Sequence, residues 1–143
     1  MKIKIKIKKL RPNAKMPTQG TKSAAGFDLY YAGDNHTFIP QHDTIRLETG
    51  IAFEIPEGYC GVVYSRSSTA LKGLAITPLV VDSDYRGEVF VTVRNTTNEP
   101  HIVCVGDRLA QIKIEKLEPT EFEWAEELSQ TERGTGGYGS TGR

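Results

Sequence analysis

The chain has 143 residues and a mass of 15.8 kDa, which suffices for one domain with a single hydrophobic core. Its 18 Lys and Arg residues balance its 18 Asp and Glu residues, which argues against a protein whose main task is to hold the phosphate backbone of nucleic acid. The 38% of hydrophobic and 25% of charged residues exclude collagen and overall disorder. No apolar run reaches the ~18 residues of a membrane-spanning helix.

The N-terminal segment alternates lysine with isoleucine. Ile3, Ile5 and Ile7 share one side of an extended chain, so the segment is predicted to be a strand. A signal peptide would instead follow its basic start with an unbroken apolar block. We therefore expect a cytoplasmic protein, in which Cys60 and Cys104 are reduced core residues rather than a disulfide.

Apolar residues alternate with polar ones in four further runs. These are Ile45 and Leu47; Ile51, Phe53 and Ile55; Val89, Val91 and Val93; and Ile112 and Ile114. Turn-forming residues separate the runs at 11–13, 33–35, 56–58, 95–100 and 106–107. Many short strands at this spacing predict an all-β sandwich or barrel.

Helical signals are few. Residues 68–72 are expected to form a short helix that begins with a serine cap and ends at Gly73. A second short helical turn is expected at 125–128.

Two segments in the first half of the chain carry groups suited to phosphate or metal. Asp28 lies among Ala, Phe and Leu, where it either caps its own backbone in a turn or bulge or holds a hydrated cation. Arg66 is followed by Ser67 and Ser68 at the predicted helix start, where free N–H groups favour an anion. A serine-capped helix with a surface arginine explains the second pattern as well.

Two further segments lie in the second half. Asp82 follows two β-branched residues and precedes Tyr85 by three positions, which fits either a functional turn or a charged hairpin tip. Asp107 and Arg108 are expected to pair and brace a turn, a type of surface contact that contributes little. Gln111 is the better candidate for a ligand contact.

The C-terminal segment 133–143 contains five glycines and one large ring, Tyr138. Such a segment buries too little apolar area to offset the ~1–2 kcal/mol per residue that ordering its backbone costs. It is either a floppy tail or a strap that closes over a phosphorylated ligand through backbone N–H groups and Arg133. Composition does not decide between these two hypotheses.

Five segments in this order, AAGFDL, SRSSTA, VVDSDYRGE, GDRLAQ and RGTGGYGSTG, resemble the five motifs of the trimeric deoxyuridine triphosphatase (dUTPase) family. The resemblance implies a distorted jelly-roll β-barrel over 1–132, a strap over 133–143, and a homotrimer with active sites between subunits. It implies Mg²⁺-assisted hydrolysis of dUTP to dUMP and pyrophosphate, which keeps uracil out of DNA and supplies the precursor of thymidylate. No nucleic-acid or membrane partner is expected.

The resemblance also implies roles for individual residues. Asp82 matches the catalytic acid that activates the attacking water, and Asp28 matches the acid that holds Mg²⁺ through water. Tyr85 matches the ring beneath the deoxyribose, and a hairpin over 77–81 would read the uracil edge with main-chain groups. The other substrate-binding residues implied are Arg66, Ser67, Ser68, Thr77, Val80, Val81, Gln111, Arg133, Tyr138, Gly139, Ser140 and Thr141.

Within the strap, Arg133 would reach the γ-phosphate and Tyr138, in place of the usual phenylalanine, would stack on the uracil. The chain departs from the family pattern elsewhere too. Ser65 replaces the usual proline, and Ser68 stands where many members have glycine. Leu79 replaces a hairpin glycine, and it would be strained if that position requires a positive φ.

Three alternatives remain at this point. The related dCTP deaminases share the fold, but the Asp82–Tyr85 spacing and the complete strap favour the pyrophosphatase. A nucleotide-dependent switch on the same fold would have a regulatory protein partner, which would suit a phage-derived protein. A purely structural β-sandwich leaves the presence of all five motifs without a reason.

Overall fold

The computed structural model describes residues 2–142, so Met1 and the last strap residue, Arg143, lie outside the described residues. The strands are β1 (Lys6–Lys9), β2 (Phe27–Tyr30), β3 (Thr37–Ile39), β4 (Thr44–Glu54), β5 (Tyr59–Tyr64), β6 (Leu74–Ile76), β7 (Leu79–Val81), β8 (Glu88–Asn95), β9 (His101–Val103) and β10 (Arg108–Lys116). One helix, α1 (Ser67–Leu71), lies between β5 and β6. Within residues 2–142, no helix has the length and apolar character needed to cross a lipid bilayer.

The strands form two four-stranded sheets and one two-stranded sheet, with antiparallel pairing throughout. The first sheet has the order β1-β4-β8-β6, the second has the order β2-β10-β5-β7, and β3 pairs with β9. Side chains from all three sheets meet in one hydrophobic core. The largest fully buried apolar side chains are Leu29, Ile39, Leu47, Ile55, Val63, Val89, Val91, Val93 and Ile112. The predicted all-β barrel is confirmed.

The alternating pattern of β8 is the clearest match between sequence and structure. Val89, Val91 and Val93 are each 1% exposed, while the residues between them point outward. The two predicted runs of Ile45–Leu47 and Ile51–Ile55 form one long strand, β4, which pairs with β8 through an irregularity between Glu48 and Ala52. Gly50 lies inside this bulge with a φ of 69°, a conformation that glycine adopts without steric cost.

Three local predictions need correction. The opening strand is shorter than predicted, since β1 begins at Lys6 and Ile3 is 46% exposed. The helix starts one residue early, at Ser67, and its N-cap, Arg66, makes no side-chain capping hydrogen bond, so the predicted serine cap is absent. Residues 125–128 form no helix, because the segment packs on nothing that would bury an apolar face.

The polypeptide leaves the barrel after β10. From Leu117 to Gly142 it forms no further strand or helix within the described residues, and its large apolar side chains are exposed. These are Leu117, Phe122, Trp124, Leu128 and Tyr138. We call residues 117–142 the C-terminal arm; the division into a domain over 1–132 and a strap over 133–143 stays a prediction.

Candidate active site

One cluster of predicted site residues forms where β10 runs between β2 and β5. Gln111 on β10 lies opposite Asp28 on β2 and opposite Tyr64 on β5, so motifs far apart in sequence become neighbours. The Gln111 amide Nε2 donates a hydrogen bond of 2.9 Å to the carbonyl of Ser65. Gly26 permits this placement, since a Cβ atom there would lie 2.4 Å from Gln111 Oε1.

Asp28 is the acid of this cluster, and it lies within a strand rather than in the turn or bulge that was one prediction for it. Its carboxylate is 14% exposed and accepts a hydrogen bond of 3.1 Å from Arg66 Nε. Arg108 Nε lies 3.8 Å from the other carboxylate oxygen. Two cations therefore surround one anion, which leaves the Asp28 cluster (Asp28, Arg66, Ser68, Arg108 and Gln111) with a surplus of positive charge.

The predicted pair between Asp107 and Arg108 is wrong. Asp107 instead accepts a hydrogen bond of 2.8 Å from the backbone N–H of Cys104 and closes the turn before β10. Arg108 faces Asp28 instead. The sequence pattern did not predict this contact, because the pattern considers only partners that are close in sequence.

The loop from β5 into α1 positions the predicted phosphate-binding residues. Arg66 Nη1 donates a hydrogen bond of 3.1 Å to Ser68 Oγ, and Thr69 Oγ1 donates one of 2.7 Å to the carbonyl of Arg66. Ser65, the replacement for the usual proline, bonds the same carbonyl at 3.1 Å. Ser67 is exposed at the first position of the helix. Side-chain hydrogen bonds within the loop therefore hold the Arg66 backbone in place, although position 65 lacks the proline that is usual in the family.

A second group forms around the turn that follows β7. The backbone N–H of Tyr85 donates a hydrogen bond of 3.1 Å to the carbonyl of Asp82, which closes the turn. Tyr85 Oη donates one of 2.8 Å to the carbonyl of Glu88. Both side chains border a cavity of about 310 Å³ whose other lining residues include Leu79, Val80, Val81, Arg46 and Phe90. We call this space the Asp82 cavity.

Arg46 and Phe90 were missed as cavity residues. The Arg46 guanidinium lies over the Phe90 ring at 3.9 Å from its centroid, a favourable cation–π contact. The available signal was Phe90 itself, a large apolar residue at an outward position between the buried Val89 and Val91.

The predicted hairpin over 77–81 does not form. β6 pairs with β8 in the first sheet, whereas β7 pairs with β5 at the edge of the second sheet. The N–H of Thr77 donates to the carbonyl of Thr92 at 3.0 Å and is therefore occupied. Alternate main-chain groups of an edge strand point away from the sheet, so β7 still offers backbone donors and acceptors beside the cavity.

Leu79 is not strained at the glycine position of the family pattern. It belongs to the extended strand β7, and in the described part of the chain only His42 and Tyr138 combine a positive φ with a side chain. The expected strain depended on a positive φ at this position, and Leu79 does not have one.

The Asp28 cluster and the Asp82 cavity lie apart within one chain. On β5, Gly61 is opposite Val81, whereas Tyr64 is opposite Gln111, so the two groups flank different ends of the strand. At ~3.3 Å per residue and ~4.8 Å per strand, the sheet geometry separates Asp82 from Asp28 by roughly 15–20 Å.

The predicted strap residues contact neither group. Arg133 Nε donates to the carbonyl of Gly136 at 2.7 Å, and the N–H of Ser140 donates to the carbonyl of Gly137 at 3.0 Å, so the described bonds of these two residues are local. Tyr138 is fully exposed, and Gly139 and Thr141 lie in the same run of turns.

Both cysteines are free thiols in the described chain, as predicted, but only Cys60 is buried; Cys104 is half-buried, so its prediction as a core residue is wrong. Burial raises the pKa of the Cys60 thiol, and the nearby carboxylates of Glu115 and Asp82 act in the same direction. A protonated, buried thiol is a poor nucleophile, so Cys60 acts as a packing residue beside the Asp82 turn.

The chain alone offers little to a resident metal ion. Among residues 2–142, no group of three or more His, Cys, Asp and Glu side chains is arranged to hold one. The Asp28 carboxylate already faces two guanidinium groups. A donor set of one carboxylate fits Mg²⁺ that is held mainly by water and by the phosphates of a bound nucleotide.

Comparison with known proteins identifies one family. The dUTPase family model matches residues 12–142. The deoxyuridine 5'-triphosphate nucleotidohydrolase of Nautilia profundicola is 44% identical over 144 residues, which is 99% of this chain and 100% of that protein. The enzyme of the same name from Paramecium bursaria Chlorella virus 1 is 39% identical over 137 residues, which is 95% of this chain and 96% of that protein.

Solved structures give the same result. The Staphylococcus bacteriophage 80alpha dUTPase with dUpNHpp has a TM-score of 0.85 at 28% identity, over 98% of this chain and 99% of that one. Phage dUTPases, of which that protein is one, are described as controlling the transfer of virulence genes. A mutant dUTPase of phage phi11 of S. aureus, described with a structural Mg(II) ion, has a TM-score of 0.80 at 25% identity, over 87% of this chain and 98% of that one.

These matches place the chain in the class of all-β nucleotide hydrolases. The chain belongs to the dUTPase family, and the resemblance drawn from its five motifs is confirmed. The match to dUTPases favours the pyrophosphatase over the dCTP deaminase alternative.

Gly26→Ala tests whether Gln111 contacts substrate. The added methyl group displaces the Gln111 amide from Ser65, so we expect KM for the nucleotide to rise about five- to tenfold, the cost of one hydrogen bond. Gly20→Ala is the matched control, since a Cβ atom at Gly20 meets nothing within 4 Å. Steady-state kinetics and melting curves on both variants separate binding from folding; an unchanged KM in Gly26→Ala would exclude Gln111 from the site.

Proposed function

We propose that this protein hydrolyses dUTP to dUMP and pyrophosphate, with Asp82 as the catalytic base. The observation that carries the proposal is the position of Asp82, at the rim of a mostly apolar cavity that is bounded by an edge strand and by the Tyr85 ring. The family match and the names of the relatives support the same activity.

The reaction needs little covalent chemistry from the protein. Asp82 accepts a proton from a water molecule as that water attacks the α-phosphorus; the new bond is P–O, and the bond to the bridging oxygen of pyrophosphate breaks. A carboxylate is a weak base, so most of the rate increase comes from the orientation of the water and from stabilisation of negative charge on the phosphates.

The Asp82 cavity is suited to a deoxyuridine. The outward main-chain groups of β7, around Val80 and Val81, are placed to meet the hydrogen-bonding edge of uracil. Cytosine reverses donor and acceptor there, and buried groups left unpaired give rejection by ~10⁴–10⁵. Thymine keeps the same hydrogen bonds, so its methyl group must be excluded by contact with the backbone. The Tyr85 ring would pack beneath the deoxyribose and leave no room for a 2′-hydroxyl.

The Asp28 cluster is suited to the triphosphate. Its guanidinium groups, from Arg66 and Arg108, supply planar charge-assisted donors, and Ser67, Ser68 and Gln111 add neutral ones. Mg²⁺ would enter with the nucleotide, with Asp28 holding it through water. When bound, the ion neutralises phosphate charge.

The separation of the two groups supports a homotrimer. One chain presents the Asp28 cluster and the Asp82 cavity on different parts of its surface, so a complete site forms when two subunits bring one of each together. A closed ring of three identical contacts makes three such sites. The strap of residues 133–143, whose described part (133–142) contacts neither group in its own chain, then closes over a site of the assembly, with Arg133, Ser140 and Thr141 on phosphate and Tyr138 on uracil.

The composition of the arm also supports docking onto another subunit. Residues 117–132 contain six glutamates and no lysine or arginine, with glutamates alternating with Phe122 and Trp124. Residues 2–9 contain five lysines alternating with isoleucines, and β1 is an edge strand. Two extended segments with matched apolar faces and opposite charges are complementary as paired strands.

In the cell, such an enzyme limits the incorporation of uracil into DNA and supplies dUMP for thymidylate synthesis. These are cytoplasmic reactions of free nucleotides, in line with the cytoplasmic location expected from the sequence.

Asp82→Asn tests the catalytic assignment. The amide keeps the shape and hydrogen-bonding capacity of the side chain but loses its basicity, so we expect kcat for dUTP to fall about 10²–10⁴-fold. Affinity for dUpNHpp should remain within about threefold, because binding does not need the base. Pyrophosphate release and calorimetric titration measure the two quantities.

Asp84→Asn is the matched control for this substitution, since it removes a carboxylate from the same turn without changing a residue that lines the Asp82 cavity. The wild-type enzyme should release pyrophosphate from dUTP far faster than from UTP, dTTP or dCTP, and more slowly without Mg²⁺. It should not convert dCTP to dUTP. Nearly normal turnover by Asp82→Asn would show that another group is the base.

Mixing two inactive variants tests whether the site lies between subunits. Asp82→Asn and Arg66→Ala are unfolded and refolded together, so that mixed assemblies form. Random mixing restores an intact Asp82 and an intact Arg66 to about a quarter of intersubunit sites. We expect activity to return to about that fraction; a mixture as inactive as its components would place both groups in one chain.

Removal of residues 133–143 tests the strap. We expect kcat/KM for dUTP to fall about 100-fold or more, because the strap excludes water and adds donors to the phosphates. The melting temperature should change little, since residues 133–142 are mostly exposed and make only local hydrogen bonds. Removal of residues 142–143 alone is the control. A large loss of melting temperature would assign the segment to folding instead.

A further inference from the structure

Glu88 joins three parts of the chain that are far apart in sequence. Arg11 Nε donates to both carboxylate oxygens of Glu88, at 2.9 and 3.1 Å. The backbone N–H of Gly50, inside the β4 bulge, donates to Glu88 Oε2 at 3.0 Å. We call Arg11, Gly50 and Glu88 the Glu88 clamp. The Glu88 side chain is only 12% exposed, so these donors replace the water that a carboxylate would otherwise bind.

The clamp is tightly packed as well as hydrogen-bonded. A Cβ atom at Gly50 would lie 2.9 Å from Ala14 Cβ and 3.1 Å from Arg11 Cβ, so the segment after β1 presses directly on the bulge. The hydrogen bond to Glu88 raises the pKa of the Arg11 guanidinium, although burial acts in the opposite direction. Arg11 is therefore a permanent cation in this clamp, as guanidinium groups in proteins are.

The main-chain carbonyl of Glu88 has a separate task. It accepts the hydrogen bond from Tyr85 Oη at 2.8 Å. The ring of Tyr85 lies against Gly87, where a Cβ atom would come within 2.4 Å of the phenol oxygen. The orientation of the ring thus depends on this carbonyl at one end and on the turn closed by Asp82 at the other.

We propose that Glu88 is a positioning residue for sugar selectivity: its clamp to Arg11 and Gly50 fixes the carbonyl that holds the Tyr85 hydroxyl, and so fixes the ring that excludes a ribose. The inference rests on the proposed function, because that function assigns the sugar contact to Tyr85. Neither Arg11 nor Glu88 belongs to the residues for which the sequence motifs predicted a role in binding.

The experiment compares hydrolysis of dUTP and UTP. In Glu88→Gln the carboxamide presents an N–H group toward Arg11, so the clamp loosens while the side-chain volume is kept. We expect the ratio of kcat/KM for dUTP to that for UTP to fall about tenfold, mainly through a higher KM for dUTP and a lower one for UTP. Arg11→Lys, which keeps the cation but loses the Nε–H donor, should lower the ratio less and in the same direction.

Glu115→Gln is the matched control. Glu115 also has two polar partners, Tyr64 Oη at 2.8 Å and Lys113 Nζ at 3.7 Å, but neither partner belongs to the turn over 82–87. Its removal should leave the dUTP-to-UTP ratio unchanged. Melting curves report whether each variant is folded, and Arg11→Lys provides the test if Glu88→Gln does not fold.

A double-mutant cycle distinguishes positioning from general loss of structure. Tyr85→Phe removes the hydroxyl through which Glu88 is proposed to act, so Glu88→Gln should change the ratio little further in that background. A tenfold additional loss there would overturn the proposal, as would a ratio within twofold of wild type in folded Glu88→Gln or Arg11→Lys. A wild-type protein that does not hydrolyse dUTP would instead refute the proposed function itself.

Discussion

The pairing of β10 with two neighbours is the constraint on which the site arrangement depends. The strand lies between β2 and β5, and its alternation sends Ile112 into the core while Gln111 faces the loop that carries Arg66. A slip of one residue would exchange these two side chains, placing an amide among buried aliphatic groups. The core thus fixes the register, and the register fixes which motif residues meet.

Much of the barrel could be predicted from alternation alone. Val89, Val91 and Val93 fell on the buried face because a strand with one face on the core has a strict period of two. The lengths of strands were less accessible. Nothing local in the sequence joins Ile45–Leu47 to Ile51–Ile55; the bulge at Gly50 does so, and it is stabilised by Glu88 and by the packing of Arg11 and Ala14, which are distant in sequence.

The candidate site was also only partly predictable from the sequence. Its residues were identified from five ordered motifs, but their partners were not. One of the two hypotheses for Asp28 had it capping its own backbone, and instead it meets Arg66 and Arg108 from other elements. The segment 77–81 was expected to form a hairpin, yet its two strands join different sheets. Short-range patterns predict which residues belong to the candidate site, whereas long-range pairing determines what each one contacts.

The free edge of β7 has a consequence for solubility as well as for recognition. An edge that reads a ligand through its backbone is also a template on which another polypeptide could add a strand, and Leu79 and Val80 make this one partly apolar. Two features restrict that hazard: β7 is only three residues long, and Pro78, directly before it, has no N–H to donate. The edge that β7 presents is therefore short, and it offers few backbone groups on which another chain could add a strand.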